Sequence, residues 1–146
     1  MECTAQRADS LLSPDNSTAS PPKEKPAVIL MVDDSSFLRK RLRQALQPDG
    51  YILVEAESGQ AALDALAKQE FACILTDLVM PDVDGFALLT QVQGRHLKVP
   101  VIVLTADIQR STQERCEALG ARAILHKPLN AEALRSVVAG VIGGKH

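Results

Sequence analysis

At the centre of the sequence lies Phe71-Ala72-Cys73-Ile74-Leu75-Thr76-Asp77-Leu78-Val79-Met80-Pro81-Asp82-Val83-Asp84-Gly85. This stretch opens as a continuous apolar run of strand length and stops at a carboxylate, Asp77. An apolar run without polar alternation is typical of a strand buried on both faces, as in a parallel sheet covered by helices. Pro81 and the Asp84-Gly85 pair then predict a loop. Asp77 is therefore predicted at the carboxyl end of a central strand, the edge where open α/β sheets bind their ligands.

Length and composition describe one globular domain without a strong electrostatic field. The chain has 146 residues, of which 46% are hydrophobic and 23% charged, values typical of a single soluble domain. Its 16 basic and 18 acidic residues leave a net charge of −2, which argues against direct nucleic-acid binding and against an anionic membrane surface. With 3% aromatic residues and no Trp, the chain also offers few platforms for stacking single-stranded nucleic acid.

The first 25 residues differ in composition from the rest. They are rich in Ser, Thr and Pro and bury too little surface to offset the entropy of ordering, so we predict a disordered tail over 1–25 and one folded domain over 26–146. Three cysteines, odd in number and far apart, indicate no disulfide framework and favour the cytoplasm. No apolar run approaches membrane-spanning length, so no membrane insertion is predicted.

Four further apolar runs of strand length accompany the central one, and a helical pattern follows each of the five. These runs cover residues 27–32, 51–56, 99–104 and 121–125. Strands that alternate with helices indicate a parallel sheet with right-handed crossovers. The fold class is therefore predicted as α/β, a doubly wound five-stranded sheet in the flavodoxin-like order 2-1-3-4-5.

In that order strands 1, 3, 4 and 5 are contiguous, and each ends in a polar residue. Their carboxyl ends carry Asp33-Asp34, Asp77, Thr105 and Lys127. Three converging carboxylates repel one another and raise one another's pKa, whereas Mg²⁺ relieves the repulsion and prefers such oxygen ligands. Lys127 supplies a point charge, and Thr105 supplies a hydroxyl for a phosphoryl oxygen. This set suits a carboxylate nucleophile that forms an aspartyl phosphate, with catalysis by charge neutralisation and in-line positioning.

At these positions the chain resembles the receiver domain of two-component response regulators, across residues 26–142. The matching motifs are Asp33-Asp34, residues 77–85, Thr105-Ala106 and Lys127-Pro128. The resemblance implies that Asp77 accepts a phosphoryl group from a sensor histidine kinase or a histidine phosphotransfer protein. It implies a signalling module rather than an enzyme, which acts on a downstream protein that the sequence does not identify.

The resemblance also implies a ligand set and a switch. Mg²⁺ is expected on Asp34, on Asp77 and on the backbone carbonyl of Val79, with Asp33 assisting through water. Phosphorylation in the family draws Thr105 inward and reshapes the surface of helix 4, strand 5 and helix 5, which is also the candidate face for a homodimer. The Lys127-Pro128 bond is usually cis in the family, and X–Pro bonds are where cis is cheap.

One position departs from the family pattern. Receivers usually carry Tyr or Phe three residues before the lysine, where the ring turns inward on activation, but here that residue is Ile124. The departure leaves the phosphoryl chemistry as expected and bears on how the signal is passed on.

Little sequence follows helix 5, so a stand-alone receiver is expected.

Two other functions fit the same fold class. The main alternative is a Mg²⁺-dependent phosphatase with an aspartyl nucleophile, but phosphatases of the haloacid dehalogenase type place Asp-x-Asp after strand 1, whereas this chain has Asp33-Asp34-Ser35 and no evident cap insertion. The second alternative is flavin binding, but the chain lacks a phosphate-cradling loop after strand 1. An absorbance spectrum of the purified protein tests this alternative.

Overall fold

The computed structural model describes residues 26–80 and 83–143 of the chain. Within them five parallel strands alternate with five α-helices. The strands are β1 Val28–Val32, β2 Ile52–Ala56, β3 Cys73–Asp77, β4 Val101–Thr105 and β5 Ala123–His126. The helices are α1 Ser36–Leu46, α2 Gly59–Lys68, α3 Gly85–Gly94, α4 Arg110–Ala118 and α5 Ala131–Gly143. The predicted tail over 1–25, Pro81 and Asp82 of the predicted loop, and residues 144–146 lie outside the described residues.

The sheet has the order β2-β1-β3-β4-β5 with every neighbouring pair parallel, which confirms the predicted fold class. The register brings the carboxyl ends of four strands level with one another. Val32 pairs with Thr76, Asp77 with Leu104, and Thr105 with His126. The residues that follow β1, β3, β4 and β5 therefore meet at one edge of the sheet, as the sequence predicts.

Helices cover both faces of the sheet, and this explains why the strands carry no polar alternation. One apolar layer lies under α1 and α5 and the other under α2, α3 and α4. Successive residues of β1 enter opposite layers, so Ile29, Leu30, Met31 and Val32 are all fully buried, each stabilising the fold by about 1.5–3 kcal/mol. In the described parts of the chain, no helix combines the length and the apolar character needed to cross a membrane.

Side-chain caps fix the turns in which strands give way to helices. Ser35 Oγ accepts from Leu38 N at the start of α1, and Asn130 Oδ1 accepts from Ala133 N at the start of α5. Two further caps stand at α2, where Ser58 accepts from Ala61 N, and at α3, where Asp84 accepts from Ala87 N. Each cap is worth about 1 kcal/mol. Three of these turns border the edge where the strand ends converge.

The structure corrects some element boundaries and one buried face. Strands β4 and β5 begin two residues later than predicted, at Val101 and Ala123, because Pro100 has no N–H to give to a ladder and the β4–β5 pairing starts only at Ile102 and Ala123. The helical pattern of α2 predicts that Ala67 faces inward with Ala62 and Leu63, but Ala67 is exposed. It lies about 140° around α2 from the buried Ala62, outside the apolar arc.

Gly85 begins α3 where that helix turns away from the end of β3. A β-carbon added to it would lie 2.5 Å from the Asp77 carbonyl oxygen and 2.7 Å from Leu78 Cα. Both neighbours are backbone atoms, so we expect Gly85→Ala to displace this loop and lower the free energy of unfolding by about 1–3 kcal/mol in chemical denaturation. Gly94→Ala is the control, since nothing lies within 4 Å of that position at the other end of α3. Equal stability of the two variants would contradict the prediction.

Candidate phosphoryl-accepting site

Asp77 is the last residue of β3, and its carboxylate is held at the edge of the sheet. Leu78 N donates to Asp77 Oδ1 at 2.8 Å, and Thr76 Oγ1 donates to the Asp77 carbonyl oxygen at 2.9 Å. The side chain is 13% exposed. It is therefore fixed by its neighbours and still accessible from the crevice, as a nucleophile must be.

The turn after β1 brings two more carboxylates to Asp77. Oxygen atoms of Asp33, Asp34 and Asp77 all lie within 4.8 Å of one another, the one such acidic cluster among the residues that the structure describes. Asp33 is buried and its Oδ1 accepts from Ser35 N at 2.9 Å, whereas Asp34 is exposed. The carboxylates predicted to converge do so.

Burial and neighbouring charges both act on the pKa of the Asp33 carboxyl. Burial raises the pKa of its carboxyl above the ordinary value, and the neighbouring charges of Asp77 and Asp34 raise it further, while the Ser35 N–H and the Lys127 ammonium oppose the shift. A carboxylate that is costly to keep ionised favours a cation in its vicinity. The donor set, three carboxylate groups of which Asp34 is exposed to water, is the type that hard divalent cations prefer.

Lys127 enters the cluster from β5. Its Nζ lies 3.4 Å from Asp77 Oδ1 and 3.8 Å from Asp33 Oδ2. Its backbone N–H donates to the Thr105 carbonyl oxygen at 2.8 Å, and the peptide bond to Pro128 is cis, as the resemblance implies. The ammonium group is thus placed to pair with Asp77 now and with an anion bound there later.

Thr105 ends β4 with its hydroxyl engaged away from Asp77. The side chain is 3% exposed, and its Oγ1 accepts from Asp107 N at 3.0 Å. It borders a cavity of about 200 Å³ together with Leu78, Val79 and Asp84 of the β3–α3 connection. The hydroxyl therefore has space on the side of the β3–α3 connection.

Val79 lies two residues beyond Asp77 with its side chain 79% exposed. The acidic cluster is made of side-chain carboxylates, and the Val79 carbonyl as a ligand stays a prediction.

Sequence reasoning missed the role of the basic residues on α1. The sequence pattern of Arg39, Lys40, Arg41 and Arg43 predicts a solvated helix face, but Arg39 and Arg43 both bind Glu55 of β2. Their hydrogen bonds hold the pKa of the Glu55 carboxyl below its ordinary value. The sequence does show two Arg residues spaced i, i+4 on this helix and one acidic residue in the strand that follows it. That these side chains meet becomes clear only from the pairing of β1 with β2.

A family comparison decides among the functions that this geometry allows. The family model described as the response regulator receiver domain matches residues 29–139. The chain belongs to the response regulator receiver domain family. This confirms the predicted family and phosphorelay signal transduction as its function, and it does not favour the aspartyl phosphatase.

Individual proteins similar in sequence or structure support the same family assignment. The chain is 36% identical over 115 residues to the response regulator protein FleR of Pseudomonas aeruginosa, covering 77% of this chain and 24% of that protein. It is 33% identical over 129 residues to the sensor histidine kinase RcsC of Salmonella typhi, covering 84% of this chain and 14% of that protein. Among solved structures, the chemotaxis protein CheY4 of Vibrio cholerae aligns with a TM-score of 0.75 and 32% identity, covering 80% of this chain and 99% of the other.

The receiver domain thus spans less than a quarter of FleR and RcsC. The stand-alone organisation stays a prediction.

Proposed function

We propose that Asp77 is the phosphoryl acceptor of this receiver domain. The donor is a phosphohistidine of a sensor histidine kinase or of a histidine phosphotransfer protein. One observation carries the proposal: the Asp77 carboxylate stands at the accessible end of a central strand, within 4.8 Å of two other carboxylates and 3.4 Å from Lys127 Nζ. The family match and the two curated relatives, one a response regulator and one a sensor histidine kinase, support it.

The reaction is a displacement at phosphorus. An oxygen of Asp77 forms a bond to phosphorus while the bond between phosphorus and the donor imidazole nitrogen breaks, and the imidazole leaves with the bonding electron pair. The Leu78 N–H orients the carboxylate. The Lys127 ammonium moves its pairing from Asp77 to an oxygen of the incoming group, which places positive charge where negative charge accumulates. The Thr105 hydroxyl then binds a phosphoryl oxygen.

The donor set fits a divalent cation, and Mg²⁺ is the cofactor we propose. Asp34, Asp77 and the Val79 carbonyl would hold it, with Asp33 bound through water. Mg²⁺ keeps several waters when bound by few protein ligands, which suits the mixture of exposed Asp34 and buried Asp33. When bound, the ion supplies neutralisation of the charge that develops on the phosphoryl oxygens.

The direct test is the intact mass of the chain after incubation with Mg²⁺ and a small acyl-phosphate donor. The expected result is a gain of one phosphoryl mass with Mg²⁺ present and no gain when Mg²⁺ is omitted. A chain that gains no mass at any donor concentration would contradict the proposal.

We expect Asp34→Ala to weaken Mg²⁺ binding on the order of tenfold or more, because outer-shell partners alone are worth 10–100-fold and Asp34 is a proposed direct ligand. Asp34 is exposed, so its loss leaves the core intact. Isothermal calorimetry measures the affinity. Glu57→Ala is the matched control, since it removes one exposed carboxylate after β2, outside the cluster. Similar affinities in the two variants would count against Asp34 as a ligand.

The proposed output is a protein contact at the surface of α4, β5 and α5. A homodimer through the same surface is retained as a prediction, with the oligomeric state before and after phosphorylation as its measurement.

A further inference from the structure

A row of three side chains joins the turn after β1 to the edge strand β2. Arg39 donates from Nη1 to the Asp33 carbonyl oxygen at 2.6 Å and from Nε to Glu55 Oε1 at 2.8 Å. The other carboxylate oxygen of Glu55 accepts from Arg43 Nε at 3.0 Å and from Arg43 Nη2 at 2.8 Å. Because Nη1 and Nε of Arg39 are both hydrogen-bonded, the conformation of its side chain is restricted. Only 13% of the side chain is exposed.

The carbonyl that Arg39 binds belongs to the peptide unit that leads into Asp34. A peptide unit is planar, so a hydrogen bond to the oxygen of Asp33 also fixes the plane that carries the N–H of Asp34. On its other side, Asp33 N donates to the Ala56 carbonyl oxygen at 3.1 Å. The main chain at Asp33 is therefore held from β2 and from α1 together.

Asp34 depends on this backbone more than its neighbours do. Asp33 and Asp77 each accept a hydrogen bond from a backbone N–H, whereas no hydrogen bond to the Asp34 side chain occurs within residues 26–80 and 83–143. The preceding peptide plane therefore helps to set the direction of the Asp34 Cα–Cβ bond, and no hydrogen bond from the described residues holds the carboxylate further out.

We propose that Arg39 is a positioning residue of the metal site, which aims the Asp34 carboxylate at Asp77 by holding the Asp33 carbonyl. This inference rests on the proposed function, since it concerns the proposed Mg²⁺ site. Charge alone gives the opposite expectation, because a guanidinium beside three carboxylates repels an incoming cation. Glu55 carries the opposite charge 2.8 Å from Arg39 Nε and weakens that repulsion, so we expect the geometric effect to dominate.

The positioning role and the charge effect predict opposite changes in Mg²⁺ affinity, so substitutions of Arg39 distinguish them. Arg39→Gln removes the charge, while Arg39→Lys keeps the charge but has no planar fork to bind Asp33 and Glu55 at once. If Arg39 positions Asp34, both variants weaken Mg²⁺ binding on the order of tenfold. If Arg39 acts by charge, Arg39→Gln tightens binding and Arg39→Lys leaves it unchanged, and that pattern overturns the proposal.

Arg43→Gln is the matched control. It removes a hydrogen-bonded partner of the same Glu55 but does not touch Asp33, so Mg²⁺ affinity should stay within about twofold of wild type. A readout without metal accompanies it: the amide resonance of Asp34 in the Mg²⁺-free protein should move in both Arg39 variants and remain in place in Arg43→Gln. An unmoved Asp34 resonance in the Arg39 variants overturns the proposal.

Glu55→Gln keeps the test decisive if an Arg39 variant does not fold. It leaves every proposed ligand and Arg39 itself intact but weakens the anchor of the guanidinium, and the amide resonance of Asp34 in the Mg²⁺-free protein should move further in it than in Arg43→Gln. Equal positions of that resonance in Glu55→Gln and Arg43→Gln contradict the inference. A wild-type chain that neither binds Mg²⁺ nor gains a phosphoryl group overturns the proposed function and this inference together. A wild-type chain that does both, beside Arg39 variants that bind Mg²⁺ equally well, overturns the inference alone.

Discussion

Asp77→Asn is expected to gain no phosphoryl group under conditions in which the wild-type chain gains one. An amide oxygen is a far weaker nucleophile than a carboxylate oxygen, and no aspartyl phosphate can form on Asn. The substitution conserves shape, and the Leu78 N–H that binds Asp77 Oδ1 has the same acceptor in the variant. The loss is therefore chemical, and the intact mass of the two proteins after treatment with an acyl phosphate and Mg²⁺ measures it.

The matched control for this prediction is Asp84→Asn. It makes the same chemical change at the same edge of the sheet, and Asn preserves an oxygen for the cap that Ala87 N donates to. Asp84→Asn should label like wild type, because residue 84 lies outside the acidic cluster. Equal labelling of Asp77→Asn and wild type would show that another residue is the acceptor.

The placement of the candidate site follows from sequence patterns that depend on burial alone. A strand covered on both faces has to be apolar at nearly every position, and the run that ends at Asp77 is buried from Cys73 to Thr76. Five such runs separated by helical patterns restrict the sheet to few orders, and the observed order is the predicted one. Polar residues directly after the runs then have to meet at one edge.

Contacts between side chains of different elements could not be derived in this way. Arg39 and Arg43 follow the i, i+4 spacing of any solvated helix face, and their binding to Glu55 depends on the angle and distance between α1 and β2. The hydrogen bond from Asp107 N to Thr105 Oγ1 depends on the shape of the β4–α4 connection. Hydrophobic pattern restricts which face a residue occupies, but it says nothing about which polar atom lies opposite.

The departure at Ile124 gains a structural setting. Register pairs Val103 with Ile124 and Thr105 with His126, so alternation along each strand puts Thr105 and Ile124 on the same face of the sheet. Ile124 is partly buried there against the apolar layer under α2, α3 and α4. A branched side chain is stiff about χ1 and, unlike Tyr, has no hydroxyl to bond at the surface. We therefore expect Ile124 to occupy its space with little change between states.

Thr105→Ala is expected to accept a phosphoryl group normally and to lose the conformational response to it. A switch needs two states that the phosphoryl group contacts differently. We expect the Thr105 hydroxyl to supply that difference by moving from its present position, where it accepts from Asp107 N at 3.0 Å, toward a phosphoryl oxygen on Asp77. The measurement is the change in amide chemical shifts when a beryllofluoride mimic of the phosphoryl group is added, compared across α4, β5 and α5.

Two variants separate the hydroxyl from the space around it. Thr105→Ser restores the hydroxyl without the methyl group and should recover the response. Ile124→Ala creates a space beside Thr105 and should lower the free energy of unfolding by about 1–3 kcal/mol, since Ile124 is only partly buried, yet it should keep most of the response. The hydroxyl is then the coupling element, and the residue at position 124 contributes packing. If Ile124→Ala abolishes the response while Thr105→Ala retains it, the coupling runs through β5 instead, and the switch of this receiver resembles that of its aromatic relatives despite the missing ring.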